Sequence, residues 1–337
     1  MIAEVLASDF VQLGLKVSVL LILLPATLVL GWVELKIGAH IQARMGPMYP
    51  GGFHGWAQTL ADGIKFVLKE NIIPRNADKW VFGMVPYVTM LASALIFVVI
   101  PAGPNLVIEN LEVGVFYVLA ASSVGVIGVL MAGWSSANKY SLLGALRAAA
   151  QLIAYELPLV LAAASVAMMA GSLSLVDIVE AQKTIVVAGF YIPFLPFQII
   201  GFGIFLAAAT AELTRPPFDM PIAEAELITG AFTEYTGIRF AFSLFAAEYI
   251  AMIGLAAFGA TLFLGGYAAP HALLEFVPGI VWLVLKTLTI LFLMIWVRWT
   301  YPRLREDQLQ KFAWKVLIPL ALVNIFLTGA LKLSPWI

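Results

Sequence analysis

Cysteine is absent from the 337 residues. Without thiolates the chain has no disulfide, no cysteine-ligated zinc site and no cysteine-held iron–sulfur cluster. A redox step through such a cluster belongs to another polypeptide. Charge is scarce too: Asp, Glu, Lys and Arg make up 12% of the chain, against about 25% in a soluble domain. So few charges cannot clothe a globular surface of this size, which excludes a cytosolic globular enzyme and a disordered tail. Nineteen basic residues against twenty acidic ones leave no basic footprint for nucleic acid. His40, His54 and His271 are too scattered for a metal-ligand motif, and no phosphate-binding glycine loop occurs.

What is present is apolar: 62% of residues are hydrophobic. A membrane helix needs about 20 mostly apolar residues. About eight such runs follow one another, near residues 11–33, 81–100, 113–134, 152–176, 184–211, 240–264, 276–297 and 312–331. They predict an all-α, polytopic transmembrane protein forming one integral membrane domain over residues 1–337, with no internal repeat. The basic residues are unevenly placed, with 15 of the 19 in the odd-numbered loops and their helix ends. By the positive-inside rule those loops face the cytoplasm and both termini face outward.

The first cytoplasmic loop, about 34–80, carries Phe53, Trp56, Ala57, Leu60, Ile64, Val67 and Leu68 at helical spacing. His54, Gln58, Asp62, Lys65 and Lys69 form the polar stripe between them. This reads as an amphipathic helix lying in the membrane interface. Its bland role is an anchor; its sharper role is one wall of a pocket for an amphiphile entering from the bilayer.

Ionisable residues inside the spans are the next signal, because an intramembrane charge is costly unless paired, hydrated or neutralised. Glu156, Glu248 and Lys286 are of this kind. Arg147, Gln151 and Tyr155, four apart, share a helix face leading to Glu156. The bland reading of Glu156 is an ion pair with Arg147 or Lys286. The fifth loop holds Glu212, Asp219, Glu224, Glu226 and Glu234 against one base, Arg215. Pro216, Pro217 and Pro221 stop a continuous helix there. A charge run is ordinarily a solvated face. This one is flanked by Glu212 at a span end and Glu248 inside the next span, so the acids could instead form a relay into the membrane.

Several segments carry a resemblance. They are Ala61-Asp62-Gly63-Ile64-Lys65-Phe66 with Lys69-Glu70, the run from Gly133-Trp134-Ser135-Ser136 through Lys139-Tyr140 to Gly144, and Pro217-Phe218-Asp219-Met220-Pro221. Ala223-Glu224-Ala225-Glu226-Leu227, Thr233-Glu234-Tyr235-Thr236-Gly237 and Tyr301-Pro302-Arg303-Leu304-Arg305-Glu306-Asp307-Gln308-Leu309 follow in order. Nearly end to end, the chain resembles the family of quinone-site heel subunits in the membrane arm of bacterial proton-translocating NADH:quinone oxidoreductase, respiratory complex I.

The resemblance implies a subunit of a membrane-embedded enzyme complex, not catalytic alone, in the bacterial inner membrane. It implies that the amphipathic helix frames a quinone chamber, with Arg44, Asp62, Gly63, Lys65 and Phe66 as chamber residues and Trp56 on the same wall. It assigns Glu156, Glu212, Glu224, Glu226, Glu234 and Glu248 to a carboxylate path for coupling protons, with Arg147, Arg215 and Arg298 as basic partners; Lys286, a base inside a span, is counted with them on its position alone. Quinone is then the substrate, flavin and iron–sulfur clusters sit in partner subunits, and the partners are other membrane-arm subunits, the peripheral-arm quinone-site subunits and lipid. The chain departs from the family pattern at Leu35, where Arg is frequent, at Thr214, where Asn is, and at Ile222, where Glu is usual. The competing readings are a membrane subunit of an energy-converting hydrogenase, a secondary cation or proton transporter, and a structural anchor.

Overall fold

Local capping sets where the helices begin and end. The computed structural model describes residues 9–104, 106–187, 189–221 and 227–333. Helix α1 runs Asp9–Ile41. The first loop contains a single 3-10 turn, Phe53–Gly55, and then α2, Gln58–Leu68. Asp78 accepts hydrogen bonds from the backbone amides of Trp80 and Val81 and starts α3, Lys79–Leu95. Helix α4 spans Gly114–Ser135. Asn138 caps the start of α5, Lys139–Ala170, and Gly171 ends it in the left-handed region at φ 80°, which glycine adopts without strain. Helix α6 is short, Leu175–Lys183. Strands β1, Val186–Val187, and β2, Phe190–Tyr191, then form a minimal antiparallel hairpin. Helix α7 is Ile199–Glu212. Helix α8 is Gly237–Phe263, α9 is Gly279–Thr300 and α10 is Glu306–Lys332.

Among the described residues seven helices are long and apolar enough to cross a membrane, and α7 is a shorter apolar one. The fold is therefore the expected all-α polytopic bundle of about eight spans, with two departures from the hydropathy reading. Residues 184–211 are not one helix. Pro193 and Pro196 remove backbone donors and clash with the preceding turn, so the first half folds as the hairpin and turns, and only 14 residues become helix. The span expected at 152–176 instead belongs to a 32-residue helix beginning at Lys139.

The loops segregate by parity. At one end of the bundle Ser174 donates to Asn110 at 3.1 Å, the Val115 amide to the Leu173 carbonyl, and the Tyr191 amide to the Pro270 carbonyl. At the other end Asn138 donates to Glu234 at 2.6 Å, the Leu304 amide donates to the Pro217 carbonyl, and Thr236 bridges to the first loop. The odd-numbered, base-rich loops thus share one end. Between the ends α5 packs against α4, α7 and α10 through small residues such as Ala145, Ala148, Ala162 and Ala163, all buried. Small side chains let backbones approach where no hydrophobic effect drives helices together.

Candidate functional site

The fifth loop gets its shape at the end of α7. Thr214 takes a left-handed backbone, φ 51°, and the Phe218 amide donates to the Arg215 carbonyl at 2.8 Å. This turn throws the Arg215 side chain inward. The side-chain amide of Gln151 fastens it by donating to the carbonyls of Ala211 at 2.7 Å and Phe218 at 2.6 Å. One turn on, the Tyr155 hydroxyl donates to the Leu309 carbonyl at 2.9 Å. Arg147, one turn before, lies 3.8 Å from Glu306. The face shared by Arg147, Gln151 and Tyr155 therefore staples α5 to the fifth loop and to the first turn of α10, and Arg147 pairs with Glu306 as well as lying on the face that leads to Glu156.

Arg215 ends in a buried ion cluster. Its Nη1 donates to Glu34 Oε2 at 2.9 Å and its Nε to Glu248 Oε1 at 2.5 Å. Arg298 pairs with the other oxygen of Glu34. The Arg215 guanidinium also sits 4.8 Å from the centre of the Tyr249 ring. The side chains of Glu34 and Arg215 are each only 4% exposed. Burial by itself would lower the pKa of Arg215, but the carboxylates of Glu248 and Glu34 outweigh it and hold the guanidinium charged, above its ordinary value. Four elements, α1, the fifth loop, α8 and α9, are tied at one point. Each charge is compensated by a residue distant in sequence.

Glu248 faces a second environment. With Glu156 of α5 and Glu212 of α7 it lines a cavity of about 130 Å³ walled by α3, α4, α5, α7 and α8. That is room for several waters. One carboxyl oxygen of Glu212, Oε2, is shielded from solvent and has no hydrogen-bond partner among the described residues. Ser122 of α4 lies within reach of the same carboxyl. The structure thus brings three of the six expected path acids to one cavity. Glu234 is outside it, held by Asn138 at 2.6 Å. Glu224 and Glu226 lie outside the described residues.

Two expectations need correction. Lys286 partners none of the described acids of this path: its amine donates to the Ala268 carbonyl at 2.7 Å, in the turn after α8, at the opposite end of the bundle. The Arg147–Glu156 and Lys286–Glu156 pairs of the bland reading are replaced by Arg147–Glu306 and Lys286–Ala268. Glu34 joins Arg215 to Arg298, and no sequence pattern singles it out. The signal available is an acid at the inner end of the first hydrophobic run, facing a loop whose one base is Arg215.

The candidate quinone wall is built on the odd-loop end. Helix α2 leans on α1, where a Cβ at Gly31 would meet the Thr59 methyl at 3.4 Å. Asp62 accepts from Lys65 at 2.8 Å and from Gln58 at 3.1 Å. Burial pulls the Asp62 pKa up, but these hydrogen bonds win and hold it below the usual carboxylate range. Phe66 packs 6.1 Å from Phe240 and 5.6 Å from Phe245, with Lys65 and Lys69 over its ring. A Cβ at Gly63 would meet nothing within 4 Å. Trp56 precedes the helix and donates to the Gly51 carbonyl at 3.0 Å, and Arg44 donates to Gln42 at 2.7 Å. The apolar stripe of Leu60, Ile64, Val67 and Leu68 is exposed in the single chain. A larger cavity of about 640 Å³, between α1, α8 and α9, is almost wholly apolar and contains none of these six residues. Among the described residues no group of three or more metal-ligating side chains occurs.

Similarity to known proteins runs the length of the chain. The NADH dehydrogenase family model matches residues 15–329. Three proteins named as the H subunit of NADH-quinone oxidoreductase, from Bacillus thuringiensis (strain Al Hakam), Bacillus cytotoxicus and Bacillus cereus (strain AH187), are each 45% identical over 323 residues, covering 96% of this chain and 94% of the relative. A match of that extent, on a bundle whose buried charges converge as described, places the chain in the NADH dehydrogenase family.

Proposed function

We propose that the chain is a membrane subunit of a proton-translocating NADH:quinone oxidoreductase of the bacterial inner membrane. In this reading α2, with Arg44, Trp56, Asp62, Gly63, Lys65 and Phe66, forms one wall of a quinone chamber completed by peripheral-arm subunits. Glu156, Glu212 and Glu248 carry coupling protons toward the other membrane-arm subunits, with Glu224, Glu226 and Glu234 as loop acids feeding them. Electrons arrive from flavin and iron–sulfur clusters in partner subunits. The odd-numbered loops face the cytoplasm and both termini face outward.

One observation carries the reading. Glu248 belongs both to the buried cluster with Arg215, Glu34 and Arg298 and to the cavity with Glu156 and Glu212. The electrostatics follow from this sharing. Arg215 divides its attraction between Glu34 and Glu248, so a change of charge near α1 and α2 alters how firmly Arg215 holds Glu248. Glu248 shares its cavity with Glu156 and Glu212, so a change in how it is paired alters the field those two acids feel. Reduction of a quinone beside α2 would supply such a charge change.

The test is made in membranes with equal complex content. Glu212→Gln and Glu156→Gln keep size and hydrogen bonding but cannot ionise. Both should lower NADH-driven quinone reduction and pH-gradient formation together. Asp62→Asn should impair quinone reduction while electron transfer from NADH to a water-soluble acceptor survives. Normal quinone reduction and pumping in both glutamine variants would remove the relay and leave these acids as structural groups.

A further inference from the structure

The wall of the acid cavity includes hydroxyls as well as carboxylates, and one of these hydroxyls is both shielded from solvent and without a hydrogen-bond partner among the described residues. Ser and Thr inside a helix ordinarily return their proton to a carbonyl three or four residues back. Four hydroxyls lining the cavity do so: Thr89 to Val85, Ser93 to Thr89, Ser122 to Leu119 and Ser123 to Ala120. Ser243 does not. The residue is 4% exposed, it lines the same cavity, and its Oγ has no hydrogen-bond partner among the described residues. Across the cavity the shielded Oε2 of Glu212 is in the same condition.

The backbone accounts for this. Ser243 lies in Ala241–Ala246, a π-helical stretch inside α8, and Glu248 follows in the first α-helical turn. Five residues of α-helix rotate a side chain by about 500°, leaving residues i and i+5 about 140° apart on the helix surface. Ser243 and Glu248 are five apart and would then face different neighbours. The wider π turn pairs residues i and i+5 through its hydrogen bonds and brings the two side chains to one face, where both reach the cavity. The same stretch carries Phe245, which packs against Phe66 of α2.

We propose that Ser243 is the hydroxyl relay between Glu248 and Glu212, placed in the cavity by the π turn. The proposal rests on the acid-path reading and adds to it a named residue with a named step. The Ser243 Oγ accepts a proton from a water hydrogen-bonded to protonated Glu248 as its own proton passes, directly or through a second water, to Glu212 Oε2. One O–H bond forms on Ser243 and one breaks, so the serine ends neutral and the net transfer is one proton from Glu248 to Glu212. A free hydroxyl can donate and accept at once. Thr89, Ser93 and Ser123 commit their donor to helix carbonyls, and Ser122 does so while lying within reach of Glu212.

The experiment compares Ser243→Ala, Ser243→Thr and Glu212→Gln in the assembled complex, reading quinone reduction, pH-gradient formation and the solvent deuterium isotope effect at equal complex content. Ser243→Ala should slow the coupled reaction about tenfold and raise the isotope effect, less than the ~10²–10⁴ of a lost general acid, because water can partly replace the hydroxyl. Ser243→Thr keeps the hydroxyl and should stay within about twofold of the parent, in line with full donor and acceptor capacity. Wild-type behaviour of Ser243→Ala alongside a slow Glu212→Gln overturns the serine relay and leaves the acid path standing. Equal impairment in Ala and Thr variants also overturns it, since packing rather than the hydroxyl would then matter. A normal Glu212→Gln defeats the acid path and the relay with it. If Ser243→Ala lowers complex content, Ser243→Thr against Ser243→Val supplies the same contrast, the two differing in shape by almost nothing but the hydroxyl. Equal rates in that pair overturn the relay, and a slow Val variant supports it.

Discussion

Glu34 shows how much one side chain can decide in this molecule. It is buried between two guanidiniums, those of Arg215 and Arg298. Breaking a buried pair by neutralising one partner leaves the other charge uncompensated in a low-dielectric medium, at a cost of about 3–5 kcal/mol. Glu34→Gln should therefore lower the thermal midpoint of the complex and its content in membranes, with Glu34→Asp intermediate. Lys311→Ala should do much less, because Lys311 faces a half-exposed Asp307 at 3.7 Å, and exposed pairs contribute about 0–1 kcal/mol. Thermal melts of the purified complex separate the two. Equal melting of Glu34→Gln and Lys311→Ala would mean that the cluster carries no stability.

Between elements, close approach is set by glycine. A Cβ at Gly144 of α5 would lie 2.7 Å from the Gly230 Cα. The obstacle is backbone and cannot swing aside, so Gly144→Ala must push the fifth loop off α5. At Gly83 of α3 an added Cβ would meet nothing within 4 Å, and alanine there removes a helix-interior glycine penalty of roughly 0.5–1 kcal/mol. Gly144→Ala should destabilise the complex while Gly83→Ala leaves it unchanged or slightly firmer, as followed by detergent-challenge half-life. A similar constraint acts where α1 crosses α9: a Cβ on Gly38 would fall 2.5 Å from the Trp299 ring. That crossing sits one turn from Glu34, so helix packing and ion pairing are fixed together.

For the whole molecule the strongest expectation concerns sidedness. The odd-numbered loops gather at one end of the bundle, and 15 of 19 basic residues lie on or beside them. A chain without cysteine offers a blank background for labelling. Single cysteines at the exposed positions Asn76, Lys139 and Gln308 should resist an impermeant thiol reagent applied to intact cells. Cysteines at Glu112 and Ala272 should react. Labelling of the first three from outside would reverse the orientation.

The amino-acid sequence by itself determined the spans, the amphipathic first loop and the inventory of intramembrane charges. These are legible because the transfer of a segment into lipid is nearly a sum over its own residues. The same locality explains where that reading stopped. Summed hydropathy passed over Pro193 and Pro196, whose effect is geometric, and ran a helix through what is a hairpin. It marked Lys286 as an acid's partner, whereas the amine is spent on the Ala268 carbonyl at the other end of the bundle. It left Glu34 unremarked, and it held no sign of the π turn that carries Ser243. Pairing was decided only by the tertiary structure. A charge or hydroxyl taken out of water is compensated by whatever group another element brings to it, and which group that is depends on the rotation and register of helices far apart in the chain.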